Sequence, residues 1–302
     1  MAAICGHRGS PGLSFPVPIP IPIALAATAM ACFGLADFVY KRAADVGVRP
    51  HQFIFAQAAI FTPIAVLIAL ATGALVWTPP MLWGALAGVF TFVGAYSFSR
   101  SLIGGVVSIN APLFRLNFMV TATLAFVVLD EPLTPAKAAG LAAALAAAWL
   151  LVGGGAPADA LASAAARRSV LQALAATVAM GCGSFCQKLG LMQGAAPVTM
   201  LAAQAAVFLP ITFVAVLAID GKVMAPMRAW RYGCVTAICL LSGFLALFGA
   251  LLGGEVSVVV PIAQMGFIVT AGLGMTLLGE RLTPRKAAGL MAAAAALVTL
   301  AL

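Results

Sequence analysis

Long apolar segments separated by short polar ones run along most of this chain. Each apolar segment is close to the ~20 residues that a helix needs to cross ~30 Å of hydrocarbon. Alanine and leucine dominate the segments and none alternates strictly between apolar and polar residues, so helices are predicted rather than the strands of a barrel. The pattern predicts ten transmembrane helices, at residues 18–38, 53–72, 81–99, 105–129, 135–153, 169–187, 198–219, 229–252, 256–278 and 284–302.

The composition agrees with a chain whose outer surface faces lipid. Of 302 residues, 64% are hydrophobic and only 8% are charged, whereas a soluble domain is about half apolar and about a quarter charged. The net charge of +8 comes from short basic clusters between the apolar segments, which is typical of membrane-protein loops rather than of nucleic-acid binding. We therefore expect a multi-pass protein of the cell (inner) membrane, with the lipid bilayer as a partner and no nucleic acid.

A sequence repeat divides the chain into two halves. The segment DEPLTPAKAAGL at 130–141 returns as GERLTPRKAAGL at 279–290, and the ungapped alignment of 104–141 with 253–290 has 20 identities in 38 positions. The repeat predicts a duplicated unit of five helices. Because five is odd, the second copy enters the membrane from the opposite side, and inverted repeats of this kind are typical of transporters. The predicted organisation is a disordered tail at 1–17, a first repeat at 18–153, a linker at 154–168 and a second repeat at 169–302.

The repeated segments also predict a tight turn between the last two helices of each unit. In LTPAK and LTPRK the threonine can cap the following helix, and the proline at the first helical position has no N–H group to lose. A glutamate precedes each turn, and a solvated position at the membrane interface is favoured over contact with substrate. The residues of this turn motif are Glu131, Thr134, Pro135, Glu280, Thr283 and Pro284.

These segments resemble the end of each EamA unit in the drug/metabolite transporter superfamily, where a Gly-Glu-x-Leu turn joins the last two of five helices. The segment CFGLADFVYK at 32–41 is similar to the first helix of that family, with Phe33 in the place of a tryptophan and Asp37 in the place of an asparagine. The resemblance extends over almost the whole chain from about residue 20. It implies ten helices, paired EamA units, a central cavity and secondary transport of small metabolites or drugs.

The orientation of the chain in the membrane stays open. Most loop lysines and arginines lie on the side opposite the N-terminus, and the positive-inside rule would then place both termini outside. The resemblance implies the reverse.

Polar residues inside the predicted spans indicate where a substrate could bind. Arg115 lies near the bilayer midplane, where a charge costs roughly 2.5–3.5 kcal/mol on insertion scales, so it should face a cavity or a partner. Contact with a substrate and a structural ion pair with Asp37 are both compatible with the sequence. Residues seven apart on a helix share a face, so Ser108 lies on the same stripe as Arg115, and the second repeat has Ser257 and Gln264 at the matching positions.

Four further residues are candidates for a cavity wall. Asp37 is either a solvated aspartate at the interface or a group that binds a proton or a substrate amine. The second alternative follows from burial, which disfavours the charged form of a carboxyl group. Gln57 and Gln204 match by repeat and either line the cavity or join helices. Tyr96 offers a ring and a hydroxyl to a ligand, or packs between helices.

Two prolines recur at one position of the repeat. Pro112 and Pro261 each remove a helical hydrogen bond in the middle of a span. They are either matched hinges or packing kinks.

The predicted function is secondary transport of a small metabolite by alternating access. An amino acid or another carboxylate-bearing compound is the predicted substrate class, because Arg115 suits a carboxylate, and proton coupling is one hypothesis for Asp37.

HExxH, GxSxG and Walker motifs are absent from the sequence, which argues against an enzyme or an ATP-driven pump. No cofactor or metal site is predicted, and the chain is expected to be a monomer or a weak homodimer. The alternative is a lipid-linked flippase or a membrane-embedded enzyme.

Overall fold

The computed structural model describes residues 21–103, 105, 107–129, 134–153, 163–253, 259, 262–279 and 282–301. The predicted tail and most of the predicted linker lie outside this part. Within it, the regular structure is helical, with α1 at Ile21–Asp45, α2 at Pro50–Ala71, α3 at Met81–Ser101, α4 at Val107–Arg115, α5 at Asn117–Val128, α6 at Pro135–Gly153, α7 at Ala164–Met192, α8 at Pro197–Asp220, α9 at Met227–Gly253, α10 at Gly266–Leu277 and α11 at Pro284–Ala301.

The outer surface of the helices is apolar. Large side chains such as Val127, Trp149 and Val214 are between 60% and 73% exposed, whereas many residues between helices are alanine or glycine. Six of the described helices are long and apolar enough to cross a membrane, and they coincide with the predicted spans one, two, three, six, seven and eight. The fourth, fifth and ninth predicted spans correspond to shorter apolar helices, and the tenth corresponds to α11. The protein is therefore a multi-pass membrane protein.

The fourth span is interrupted, although its sequence predicts one continuous helix. α4 ends at Arg115 and α5 begins at Asn117. At Leu116 the backbone N–H donates to the Leu113 carbonyl three residues back, at 3.2 Å. The same tightened turn occurs in the second half, where the N–H of Met265, just before α10, donates to Ile262 at 3.1 Å.

These two breaks fall at equivalent positions of the repeat, 149 residues apart. Each comes four residues after a repeated proline. Pro112 lies in α4, although its side chain is not described, and Pro261 lies outside the described residues. A proline removes the hydrogen bond to the carbonyl four residues before it, so its direct effect lies on the N-terminal side. The interruption four residues after it is a separate feature, which the apolar pattern alone does not show.

The two halves contact each other in matched pairs of helices. α1 of the first half packs against α9 and α10, and α7 of the second half packs against the equivalent α3 and α5. α2 packs against its own equivalent α8, and α6 packs against its own equivalent α11. The α2–α8 pair is antiparallel, because Arg49 before the start of α2 bonds to Asp220 at the end of α8, and Thr199 near the start of α8 bonds to Ala74 after the end of α2.

Glycines allow the closest of these contacts. A Cβ atom added at Gly34 of α1 would lie 2.3 Å from the carbonyl oxygen of Gly266 in α10. The hydroxyl of Thr270 donates to the Gly34 carbonyl across this contact at 2.8 Å. In the other half, Thr121 of α5 donates to the carbonyl of Gly181 in α7 at 3.0 Å. Small residues that let helix backbones approach and hydroxyls that bond across them are the usual means of joining membrane helices.

The described part of the turn motif begins α6 and α11. Pro135 and Pro284 are the first residues of these helices. The Thr283 hydroxyl accepts a hydrogen bond from the backbone N–H of Lys286 at 3.2 Å, which is the predicted cap. Glu131 and Glu280 lie outside the described residues.

Candidate substrate-binding site

A cavity lies between helices of both halves. Its volume is about 130 Å³, and since one water needs ~10–15 Å³ measured this way, it has room for several waters or a small organic molecule. Its wall combines phenylalanine rings with a few polar side chains, as small-molecule sites usually do. The polar residues on the wall are Asp37, Tyr40, Gln57, Thr91, Arg115, Asn117, Ser184, Gln187, Gln204 and Gln264.

Arg115 and Asp37 form an ion pair in the cavity wall. Arg115 is the last residue of α4, and its Nε and Nη2 atoms donate to the two carboxylate oxygens of Asp37 at 2.9 Å each. Nη2 also donates to the carbonyl of Phe33 at 3.1 Å. Arg115 is 8% exposed and Asp37 is 2% exposed. Each charge is thus compensated by the other inside a largely apolar protein, as a buried charge must be.

Two phenylalanine rings lie beside the guanidinium group. Its carbon is 5.1 Å from the centre of the Phe33 ring and 5.7 Å from that of Phe114, within the range of cation–π attraction. The remaining nitrogen, Nη1, donates no hydrogen bond to any residue in the described part of the chain. Arg115 is therefore held in place by α1 and by aromatic rings, with part of its edge still available.

Side-chain amides form a second polar region of the wall. The Tyr40 hydroxyl donates to Gln57 Oε1 at 2.6 Å, and Gln187 Nε2 donates to Gln204 Oε1. Gln264 also faces the cavity, but its buried Oε1 atom accepts no hydrogen bond from the described residues. An amide oxygen without a donor at a cavity wall is a ready acceptor for a ligand, because a buried polar atom left unpaired is costly.

The wall is built from equivalent positions of the two halves. Shifts of 147 residues for α1 and α2, and of 149 for α3 and the fourth span, relate one side to the other. The charged pair has neutral counterparts on the opposite side, since Asp37 corresponds to Ser184 and Arg115 to Gln264. Further pairs are Phe33 with Met180, Tyr40 with Gln187, Gln57 with Gln204, Phe61 with Phe208, Thr91 with Leu240, Ala95 with Phe244 and Phe98 with Leu247.

The cavity brings together five of the residues singled out from the sequence, namely Arg115, Asp37, Gln57, Gln204 and Gln264. The two alternatives for Arg115 hold at once, because it both pairs with Asp37 and lines the cavity. Asp37 is buried rather than solvated at the interface.

Tyr96 is not among the lining residues. Its ring stacks on Phe92 at 5.7 Å, and its hydroxyl accepts from Arg100 at 3.4 Å. The side chain of Ser108 is not described, and Ser257 lies outside the described residues.

The sequence pattern did not point to Tyr40 or Gln187, although both lie on the wall. The sequence does contain a signal for them, because the pattern GxxxFxxK occurs at 34–41 and again at 181–188. This alignment makes Tyr40 and Gln187 equivalent positions of the repeat. Asn117 also lines the cavity, and its Nδ2 atom donates to the Phe114 carbonyl at 2.8 Å.

Away from the cavity, a polar cluster joins one end of the α2–α8 pair. The carboxylate of Asp220 lies 2.8 Å from Arg49 Nη1 and 3.1 Å from His51 Nε2, and it also accepts from Gln52. At the opposite end of the same pair, the hydroxyl of Thr199 is the contact. The two ends are therefore closed by different chemistry.

Comparison with known proteins gives one family and one fold. The sequence pattern of the EamA-like transporter family matches residues 20–153 and again residues 167–302. A solved structure described only as a crystal structure of a protein aligns with a TM-score of 0.64 and 16% identity, over 93% of this chain and 98% of that chain. At this identity the likeness shows the fold alone. No curated protein matches the sequence.

Proposed function

Because the chain belongs to the EamA-like transporter family of the drug/metabolite transporter superfamily, we propose that it is a secondary transporter that carries a small metabolite by alternating access. Members of this family are transporters rather than enzymes. The proposed protein has ten spans in two inverted repeats, residues 18–153 and 169–302, with a tail at 1–17 and a linker at 154–168. It resides in the cell (inner) membrane as a monomer or a weak homodimer, since the cavity forms within one chain.

The observation that carries this proposal is the cavity between matched positions of the two halves. A site shared by two equivalent halves can open toward either side of the membrane when the halves exchange conformations. The antiparallel α2–α8 pair supports the inversion, because equivalent helices that run in opposite directions belong to units of opposite orientation.

The breaks at Leu116 and Met265 support alternate opening. Each interrupts the fourth span of its half next to a wall residue, Arg115 or Gln264. An interrupted helix bends more easily than a continuous one. Matched breaks would let either half of the wall move while the other stays closed.

The proposed substrate bears a carboxylate that binds Arg115. A guanidinium group can bind a carboxylate through two parallel hydrogen bonds, which a lysine ammonium cannot reproduce. Gln57 and Gln204 would contact the uncharged part of the substrate. Proton coupling through Asp37 is proposed as well, since Asp37 is the carboxylate among the wall residues that the structure describes.

Uptake by the purified protein in sealed vesicles tests the function. Labelled amino acids and other small carboxylates are offered with and without a pH gradient. Arg115→Lys should reduce uptake, and Arg115→Gln should reduce it by about 10- to 100-fold, which corresponds to the loss of one charge-assisted interaction.

Two controls accompany this measurement. Arg228→Gln changes an exposed arginine at the start of α9 and should transport normally. The double variant Arg115→Gln with Asp37→Asn leaves no unpaired carboxylate and separates misfolding from loss of binding. Uptake at the normal level in Arg115→Gln would leave that residue a structural role only, and transfer of lipid between leaflets without solute uptake would favour a flippase.

A further inference from the structure

The two charges of the cavity wall neutralise each other. Asp37 and Arg115 are joined by two hydrogen bonds of 2.9 Å and are almost fully buried. Among the described residues, the other polar groups of the wall are amides, hydroxyls and a phenol. A charged substrate in this cavity therefore meets two protein charges that already balance each other.

From this geometry we infer that the substrate is a zwitterion that opens the ion pair, with its carboxylate on Arg115 and its ammonium group on Asp37. The inference rests on the proposed transport function and names the substrate class for its site. It also makes Asp37 a binding residue rather than only the partner of Arg115.

Charge balance favours a zwitterion over a simple anion or cation. An anion that took Arg115 would leave the Asp37 carboxylate buried without a counter-charge, and an amine that took Asp37 would leave Arg115 in the same position. Leaving one buried charge unpaired weakens binding on the order of 100- to 1,000-fold. A zwitterion brings one charge of each sign, so that both protein groups keep a partner.

The hydrogen-bond groups of the wall fit the two ends of such a molecule. Arg115 has an edge with Nη1, which bonds to no described residue, and this edge can receive a carboxylate. An ammonium group has three N–H donors. The carboxylate of Asp37 would accept hydrogen bonds from some of these donors but not from all three. Gln264 Oε1, a buried acceptor without a donor among the described residues, faces the same cavity and can accept another.

The remainder of the wall indicates a small substrate with an apolar side group. Phe61, Phe208 and Phe244 face the cavity together with Leu240 and Leu247. The volume of about 130 Å³ limits the size of the side group. An α-amino acid with an apolar side chain meets these requirements.

A different ligand would also conserve charge, namely an anion that binds Arg115 while Asp37 takes up a proton. Such a ligand offers no donor to Gln264 Oε1, whereas an ammonium group does. The wall therefore favours the zwitterion, and the two ligands respond differently to pH.

The test compares molecules that share one side chain and differ in charge. L-leucine is the zwitterion, 4-methylpentanoate lacks its amine, and 3-methylbutylamine lacks its carboxylate. Binding to the purified full-length protein is measured by thermal stabilisation at several pH values. The apolar L-amino acids from alanine to phenylalanine are each tested with the corresponding acid and amine.

We expect at least one zwitterion to stabilise the protein, and its acid and amine to bind at least 100-fold more weakly at neutral pH. Asp37→Asn should reverse this preference, because it frees Arg115 from its partner: the amino acid binds more weakly and the carboxylate binds more tightly. Gln264→Ala should weaken binding of the amino acid and leave binding of the carboxylate analogue unchanged. The comparison on the wild-type protein requires no variant and stands even if a variant does not fold.

Three results would overturn the inference. They are the absence of binding by every zwitterion, a carboxylate or amine that binds the wild-type protein as well as its amino acid does, and carboxylate binding that strengthens as the pH falls. The last result identifies an anion bound with a proton and leaves the transporter proposal intact. Conversely, amino-acid binding without uptake into vesicles would contradict transport and leave the binding site as inferred.

Discussion

Adding one methyl group at Gly34 should separate α1 from α10 and destabilise the protein. The Cβ of Gly34→Ala would lie 2.3 Å from the Gly266 carbonyl oxygen and 2.6 Å from Val269 Cβ, where ordinary contacts begin at 3.4 Å. The helices must therefore move apart by roughly 1 Å, since a backbone carbonyl cannot turn away as a flexible side chain can. The Thr270–Gly34 hydrogen bond of 2.8 Å would be stretched beyond a useful length.

The magnitude follows from three contributions to the free energy of unfolding. Overpacking costs about 1–3 kcal/mol, and loss of a hydroxyl bond between membrane helices costs about 0.6–2 kcal/mol. The higher helix propensity of alanine, compared with glycine, offsets about 1 kcal/mol of this destabilisation. A net destabilisation of about 1–4 kcal/mol is expected.

Gly272→Ala supplies the matched control. Gly272 lies in α10, and a Cβ added there meets nothing within 4 Å, so this variant reports helix propensity without a clash. Gly181→Ala, at the equivalent contact of the other half, should behave like Gly34→Ala. Unfolding in mixed micelles, followed by the fluorescence of the four tryptophans, gives the three free energies. The reasoning is refuted if Gly34→Ala is as stable as Gly272→Ala.

Two further predictions concern movement of the halves. If Pro112 and Pro261 are matched hinges, replacing either by alanine should preserve binding and slow turnover, and the two variants should bias cysteine labelling toward opposite sides of the membrane; equal shifts would make them packing kinks. Asp220→Asn should weaken the polar cluster that joins Arg49 to α8 and increase labelling from that end only, with the exposed Asp45→Asn as control. Unchanged labelling would show that the cluster does not close that end.

Much of the fold could be predicted from the sequence because the repeat is long and contains Pro, Gly, Ser and Lys at fixed positions. The same repeat identified Gln57 and Gln204, and likewise Arg115 and Gln264, as equivalent positions of the two halves. The partner of Arg115 could not be predicted in this way, since Asp37 lies 78 positions away. The hydrophobic periodicity of a helix does not show which other helices lie next to it. A charge in the membrane indicates that a partner exists, not which helix supplies it.

Tyr96 shows why helix faces are hard to assign in a membrane protein. In a soluble protein the polar face of a helix marks the outside, but here the lipid is as apolar as the contacts between helices. α3 therefore gives no sign of which face meets the cavity, and Tyr96 proved to stack on Phe92. The breaks at Leu116 and Met265 were missed for a related reason, because an apolar run is equally apolar whether its helix is continuous or interrupted.

The unequal charges of the cavity wall have a consequence for binding. Two copies of a single five-helix unit, related by exact symmetry, would set two arginines and two aspartates around one axis. Such a homodimer offers an asymmetric molecule two identical ways to bind. In a single chain the two positions of each equivalent pair differ independently, and the described wall accordingly has one Arg115–Asp37 ion pair where the other half has Gln264 and Ser184. Two halves of the same fold can in this way present unequal charges to an asymmetric molecule.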